Sequence, residues 1–411
     1  MGRRITIISA LTIASGVLVW LALSAFEDKP FRYPEGRWQV GQLRYIAGLP
    51  VLEVAGTPQD IGAQVARLGA MPASRLRQYP RDLFFAAWPR FVAREWKEKA
   101  WRETLAVGER LLANIPERHR QEYQALRDNL PEDWHEGLLA GNTLFDIKRL
   151  VHCSAVIVQA DRGMAKTAEN ANLLFGRNLD FPTLGYLHRY SLVLIYKPKG
   201  HYAFVAVGFP GMVGVLSGMN EHGLCVAILE VYESGDGSPS FDPRGVPYAI
   251  VLRRILEECR TLAEAERLVK SVPRTCYYNL AICDTRTGGV LEISPRQVSF
   301  RGLEQGICAC TNCFQTPALA AVGGKNWYRS RERLQVLLAL REEANVGVAQ
   351  MHQALHRAHL GAVTLQTMIF EPQALRLHLA MGKCPASALP LVCLDLLPLL
   401  KPDPLSPTES R

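Results

Sequence analysis

His152-Cys153-Ser154-Ala155-Val156-Ile157-Val158, followed by Gly176-Arg177-Asn178-Leu179-Asp180-Phe181, is the stretch on which the reading of this 411-residue chain turns. The first run places a cysteine at the head of apolar, largely β-branched residues. The second carries an arginine and an aspartate one hairpin further on. Asp161-Arg162-Gly163 supplies a polar turn between them, so 154–159 and 173–176 read as paired strands. The chain is expected to be cut at the His152–Cys153 bond, making Cys153 an N-terminal residue. Its own α-amino group, with a pKa near ~8, then serves as base for a thiol of ~8.5, and no separate histidine is needed. Before that amine exists, the thiol must attack the His152 carbonyl and the resulting ester must hydrolyse. Asn side chains suit the oxyanion hole that both steps require.

Upstream of Cys153 the chain reads as mainly helical. Residues 27–50 look irregular and 50–55 read as a short strand. Gly56-Thr57-Pro58 then starts a helix, with Thr57 as N-cap and Pro58 in the first turn. Phe84, Phe85, Trp88, Phe91, Trp96 and Trp101 fall at mostly helical spacing and are expected in a core. Residues 133–147 form the last helix of this half.

Downstream, strand pairs are expected at 192–196 with 203–208, 213–217 with 224–229, 278–283 with 290–293, and 366–370 with 375–380. Helices are expected at 247–260, from Thr261, at 327–342 and at 347–359. Thr261 and Glu264 have capping-box spacing. Strands alternating with helix pairs give an α+β architecture. The expected organisation is 1–26 as signal peptide or membrane anchor, 27–152 as a helical segment, 153–400 as the catalytic domain and 401–411 as a disordered tail.

The net charge of +8 is mild for this length and no long Lys/Arg run is present, so nucleic acid is excluded as a partner. Arg3-Arg4 precede an uncharged run from Ile5 to Phe26, which predicts export, with either a cleaved signal or an anchor in the membrane. Cys308, Cys310 and Cys313 form the tight cluster among ten cysteines, but no second Cys/His pair follows at zinc-ligand spacing. His352, His356 and His359 share a helix face without an HExxH-like partner. No metal or other cofactor is therefore expected.

Cys153, Gly176-Arg177-Asn178-Leu179-Asp180, Met219-Asn220-Glu221-His222-Gly223-Leu224, Thr311-Asn312 and Ser330-Arg331 follow one another in an order seen in a known family. The chain resembles the N-terminal-nucleophile (Ntn) hydrolases related to choloylglycine hydrolase. Within them it is similar to the autoproteolytic branch of isopenicillin N acyltransferase, peptidase C45. The resemblance covers roughly 50–395, including Gly56-Thr57-Pro58-Gln59-Asp60-Ile61-Gly62 and Asn279-Leu280-Ala281-Ile282-Cys283-Asp284. It implies a four-layer αββα sandwich and acyl transfer from a linear amide, or another small-molecule acyl donor, to water or an amine. It further implies Cys153 as nucleophile, Arg177 and Asp180 flanking it, and Asn220 and Asn312 at the oxyanion and substrate amide. Arg331 would complete the site and Asn279 would contact substrate. His152 departs from the glycine often found before the cut in this branch. Two rival readings remain: a papain-like hydrolase serving Cys153 with His201 or His222, and a non-catalytic anchored binding protein of the same fold. No Gly-x-Ser-x-Gly motif supports a serine hydrolase.

Overall fold

The computed structural model describes residues 29–148, 151–160 and 172–401. The expected signal or anchor (1–26), the turn at 161–163 and the tail beyond 401 lie outside the described residues. Among the described residues no helix is long and apolar enough to cross a membrane.

The segment ahead of Cys153 opens with three strands: β1 (Gly36–Trp38), β2 (Gly41–Ile46) and β3 (Leu49–Gly56). The expectation of an irregular 27–50 is thus corrected. Gln39 at φ 53° and Ala47-Gly48 at φ 49° and 83° make the turns, and the apolar alternation is too short to show as a strand pattern. The predicted helix start holds. Asp60 N donates to Thr57 Oγ1 at 3.3 Å while Asp60 Oδ2 accepts from Thr57 N at 2.9 Å, capping α1 (Pro58–Gln64). Four helices follow: α2 (Tyr79–Ala86), α3 (Arg94–Ala113), α4 (Glu117–Asp128) and α5 (His135–Ile147). The aromatic stripe divides between them. Phe84 and Trp101 pack with Leu144, whereas Phe91 and Trp96 are 89% and 65% exposed and belong to no core.

Strands then dominate: β4 (His152–Gln159), β5 (Leu173–Asp180), β6 (Leu192–Pro198), β7 (Phe204–Gly208), β8 (Ser217–Asn220) and β9 (Cys225–Glu230). The strand expected at 213–217 begins instead at Ser217. Val213 N donates to the Asn142 side chain and Val215 N to the Ala249 carbonyl, so neither is available to a ladder. After α6 (Tyr248–Glu258) and α7 (Leu262–Ser271) come β10 (Tyr278–Cys283), β11 (Gly288–Ile293), β12 (Val298–Gly302) and β13 (Ile307–Cys310). The chain ends with α8 (Ser330–Leu338), α9 (Val348–Arg357), β14 (Thr364–Glu371), β15 (Arg376–Met381), β16 (Val392–Asp395) and α10 (Leu397–Leu400).

These strands make two sheets. One runs β1-β2-β3-β6-β7-β8-β9-β10-β11-β12 and the other β13-β4-β5-β14-β15-β16. The sheets face each other through β4 against β9 and β10, and β13 against β11. Helix α6 covers β8 and β9 with α7 beside it, while α8 and α9 cover the outer face of the second sheet. This is the αββα sandwich that the resemblance implied.

Strand alternation sorts the side chains of the decisive hairpin. Cys153 pairs with Leu179 and Ala155 with Arg177, and these residues face the seam between the sheets. His152 pairs with Asp180 and Ser154 with Asn178, and these face the helices with Val156 and Val158. The approach is close: a β-carbon at Gly176 would lie 2.6 Å from Met351 Sδ of α9.

Candidate active site

Cys153 is the second residue of β4 and wholly buried. On the seam side, Arg177 Nη2 donates to its Sγ at 3.0 Å and to the Ile228 carbonyl at 2.8 Å. Arg177 Nη1 donates to the Ser217 hydroxyl, so the guanidinium is held from the opposite sheet. Burial pushes the Cys153 thiol up to about 11 against the opposing pull of Arg177. In the uncut chain the sulfur is therefore a neutral thiol at pH 7.

The backbone of the cut site is gripped by Asn312. Its Oδ1 accepts from Cys153 N at 3.1 Å, and its Nδ2 donates to the Glu230 carbonyl at 2.8 Å and the Val151 carbonyl at 3.3 Å. One amide thus straddles the His152–Cys153 bond. Glu230 adds a second hold, its Oε2 accepting from Val151 N at 2.8 Å while its Oε1 takes the Tyr248 hydroxyl at 2.7 Å.

On the helix side lies a residue that sequence reading missed. Arg333 Nη1 donates to the Cys153 carbonyl at 2.8 Å, and Nη2 to Asn312 Oδ1 at 2.7 Å. Its charge is answered by Asp180 Oδ2 at 3.6 Å. Asp180 Oδ1 accepts from the Thr364 hydroxyl. Burial raises the Asp180 carboxyl to about 6, opposed first by Arg333.

Four expected site residues therefore meet: Cys153, Arg177, Asp180 and Asn312. Arg331 does not join them. It is exposed, with Nη2 bonded to the Gly324 carbonyl at 2.7 Å. Two residues along a helix is about 200° of rotation, so Arg331 and Arg333 point apart. Ser330, Arg333, Leu334 and Leu337 form the buried stripe of α8, and that periodicity was the available signal. Asn220 is also elsewhere. Alternation along β8 turns Ser217 toward Arg177 and Asn220 toward α6. Asn220 Nδ2 donates to the Leu256 and Cys259 carbonyls, and its Oδ1 accepts from His222 N and Leu224 N. It fastens a turn to a helix end, on the face of the sheet away from the thiol.

Asn279 has a supporting position. Its Nδ2 donates to the carbonyls of Thr311 and Cys313, at 2.9 and 3.0 Å, which fixes the segment carrying Asn312. Asn279→Ala strands two carbonyls and is expected to cost about 1–3 kcal/mol. A urea melt checks this; an unchanged midpoint would remove Asn279 from the clamp.

Histidines offer the thiol no service. Among the described residues no hydrogen bond joins an imidazole to Cys153 Sγ, and His222 packs on Tyr202 with ring centroids 4.5 Å apart. His152 has its ring on the helix side of β4, and burial with the nearby Arg333 charge holds it well below the usual imidazole range. Among the described residues no group of three or more His, Cys, Asp or Glu is arranged to hold a metal ion.

Two buried carboxyls set a pH dependence. Burial raises Asp146 to about 7 and Asp180 to about 6, from an ordinary 3.8. A folded-state pKa above the unfolded one means that the stabilising contribution is complete below about 3.8 and lost as pH rises through the folded value. Buried neutral His119 and His152 pull the other way as pH falls below about 6.5, so the effect is read by difference: the wild-type melting temperature is expected to decline relative to that of Asp146→Asn as pH rises from 4 to 7. An equally steep decline in the variant would overturn the assignment.

Leu179, the cross-strand partner of Cys153, and Leu216, next to Ser217, also line an apolar pocket that is partly open to solvent, forming its floor. Leu83, Leu138 and Leu144 of the N-terminal helices form its roof.

The model of the acyl-coenzyme A:6-aminopenicillanic acid acyl-transferase family matches residues 166–383, a span that begins after Cys153. Two Dictyostelium discoideum proteins are similar over part of the chain. Protein dcd1B is 26% identical over 130 residues, 30% of this chain and 25% of its own length. Protein dcd1A is 29% identical over 136 residues, 30% of each. The match thus spans less than a third of either relative. Among solved structures, penicillin V acylase from Agrobacterium tumefaciens aligns with TM-score 0.41 and 14% identity, over 59% of this chain and 86% of that one. The Caenorhabditis elegans N-acylethanolamine-hydrolyzing acid amidase ortholog aligns with TM-score 0.40 and 16% identity, over 59% and 100%.

Proposed function

The chain belongs to the acyl-coenzyme A:6-aminopenicillanic acid acyl-transferase family, and from that premise we propose that it is a self-processing cysteine amidase or acyltransferase acting on linear amides. In this reading 27–152 and 153–400 become the two parts of the mature protein, and 1–26 directs export or anchors it at a membrane. One observation carries the proposal: Cys153 Sγ lies against Arg177 while its backbone N–H and C=O lie against Asn312 and Arg333.

The parts divide the work. Once Cys153 N is a free amine, Arg333 lies one hydrogen-bond link away through Asn312. A nearby positive charge disfavours the ammonium form, which keeps the amine available as base at neutral pH. The thiol proton passes to this amine as sulfur bonds the acyl carbon, and Arg177 stabilises the developing thiolate. The C–N bond then breaks and the leaving nitrogen departs with the proton. Water or an amine releases the thioester. Departure of Val151 frees Asn312 Nδ2 to donate to the oxyanion. The apolar lining of the pocket at Leu179 suits an apolar acyl chain.

Intact-mass spectrometry with N-terminal sequencing tests the cut, and hydroxylamine trapping of a thioester on residue 153 tests the chemistry. A wild-type chain that stays whole would end the self-processing reading. Amide cleavage with no trappable thioester would end the nucleophile assignment.

A further inference from the structure

The residue ahead of the thiol occupies a site of its own. The ring of His152 lies on that of Tyr328, with centroids 3.4 Å apart and 26° between the planes. The Tyr232 hydroxyl is 2.8 Å from His152 Nδ1. Trp327 completes the wall, its ring 5.3 Å from that of Tyr232 and 6.4 Å from that of Tyr328. Trp327 Nε1 is tied to Glu233, and the Tyr328 carbonyl accepts from Arg333 Nε at 2.9 Å. The box is therefore fastened to the same arginine that lines Cys153. Tyr328 and Arg329 hold φ of 52° and 54°, a region that residues with a β-carbon enter rarely. None of the cavity-lining residues belongs to this box.

In the uncut chain His152 is the group bonded to Cys153 N. In a mature enzyme the same nitrogen must hand a proton to the departing amine of the substrate. The leaving half of the amide must then lie beside Cys153 N, in the space from which His152 was cut. This step rests on the self-processing reading above. We propose that Tyr232, Trp327 and Tyr328 form the subsite for the amine half of the substrate, that it takes a neutral planar ring, and that His152 fills it until cleavage. Preference for a neutral ring follows from the surroundings: burial and the Arg333 charge keep the imidazole already there unprotonated.

The test uses 4-methylphenol, a neutral planar ring, titrated calorimetrically into full-length protein. Cys153→Ala with His152→Gly should bind it saturably. Cys153→Ala alone should bind at least tenfold more weakly, because His152 is in place. Adding Tyr328→Ala to the double variant should cost at least tenfold. No binding by the double variant, or equal affinity with and without His152, overturns the proposal. Should His152→Gly fail to fold, His152→Ala keeps a β-carbon and serves in its place. In the cut wild type, Tyr328→Ala should lower kcat/KM at least tenfold for an anilide and less than twofold for the matching methylamide; equal losses overturn the assignment. A wild type that stays whole defeats the self-processing reading, whereas the titration still decides the box.

Discussion

Cys153→Ala is expected to yield a folded, uncut chain with no amide-cleaving activity. The fold should survive because Arg177 keeps its bonds to the Ser217 hydroxyl and the Ile228 carbonyl when the sulfur is removed. Its charge therefore remains solvated by protein. Only the sulfur atom is deleted, leaving a small void in a wholly buried position. Catalysis should fall by on the order of 10⁶-fold, the size of the loss when a covalent nucleophile is removed. The measurement is single-turnover cleavage of a chromogenic amide alongside intact mass. Residual activity within tenfold of wild type would return the nucleophile to another side chain. A chain still cut before residue 153 would show that a different protein does the cutting.

Arg333→Leu is expected to be the most destabilising single change at the site. Arg333 is 4% exposed, and its removal leaves Asp180 buried beside the Thr364 hydroxyl without its ion-pair partner, with the weaker pull of Arg177 remaining. It also leaves the Cys153 carbonyl without this donor. Breaking one member of a buried ion pair costs about 3–5 kcal/mol. Arg331→Ala, two residues away and exposed, should stay within about 0.5 kcal/mol of wild type. Guanidinium melts of the two variants compare them directly, and equal midpoints would return the role to Arg331. Where enough cut Arg333→Leu can be recovered, its acid limb of activity should move to higher pH, because the cation that favours the neutral amine is gone.

Much of this site was legible because the hairpin is locally determined. A continuous apolar run after Cys153 fixes β4, and a two-residue period from Cys153 and Arg177 places both on the same face. Asn312 could be placed by its order in the chain. Order along the chain points to Arg331 because it ignores helical phase, whereas the side chains obey it and Arg333 lies on the buried stripe. Asn220 failed for the same reason in a strand: one residue of offset moves a side chain to the other face of the sheet. Glu230, Ser217 and Tyr328 were invisible, since their roles exist only when the second sheet and the 327–329 turn close over β4. The first two strands were missed because their apolar alternation is short, although local antiparallel turns link them to β3, which itself runs parallel to β6 from Val51↔Val193 to Gly56↔Pro198.

That parallel pairing has a consequence for assembly. Strand β3 lies before Cys153 and β6 after it, so a chain cut at residue 153 keeps one sheet built from two separate polypeptides. While the chain is whole, β3 finds β6 within a single molecule and refolding does not depend on dilution. After the cut the same encounter is second order, and the tether's effective concentration is lost. An uncut Cys153→Ala protein should therefore recover from denaturant equally well at any concentration, whereas the two-piece form should recover only when concentrated.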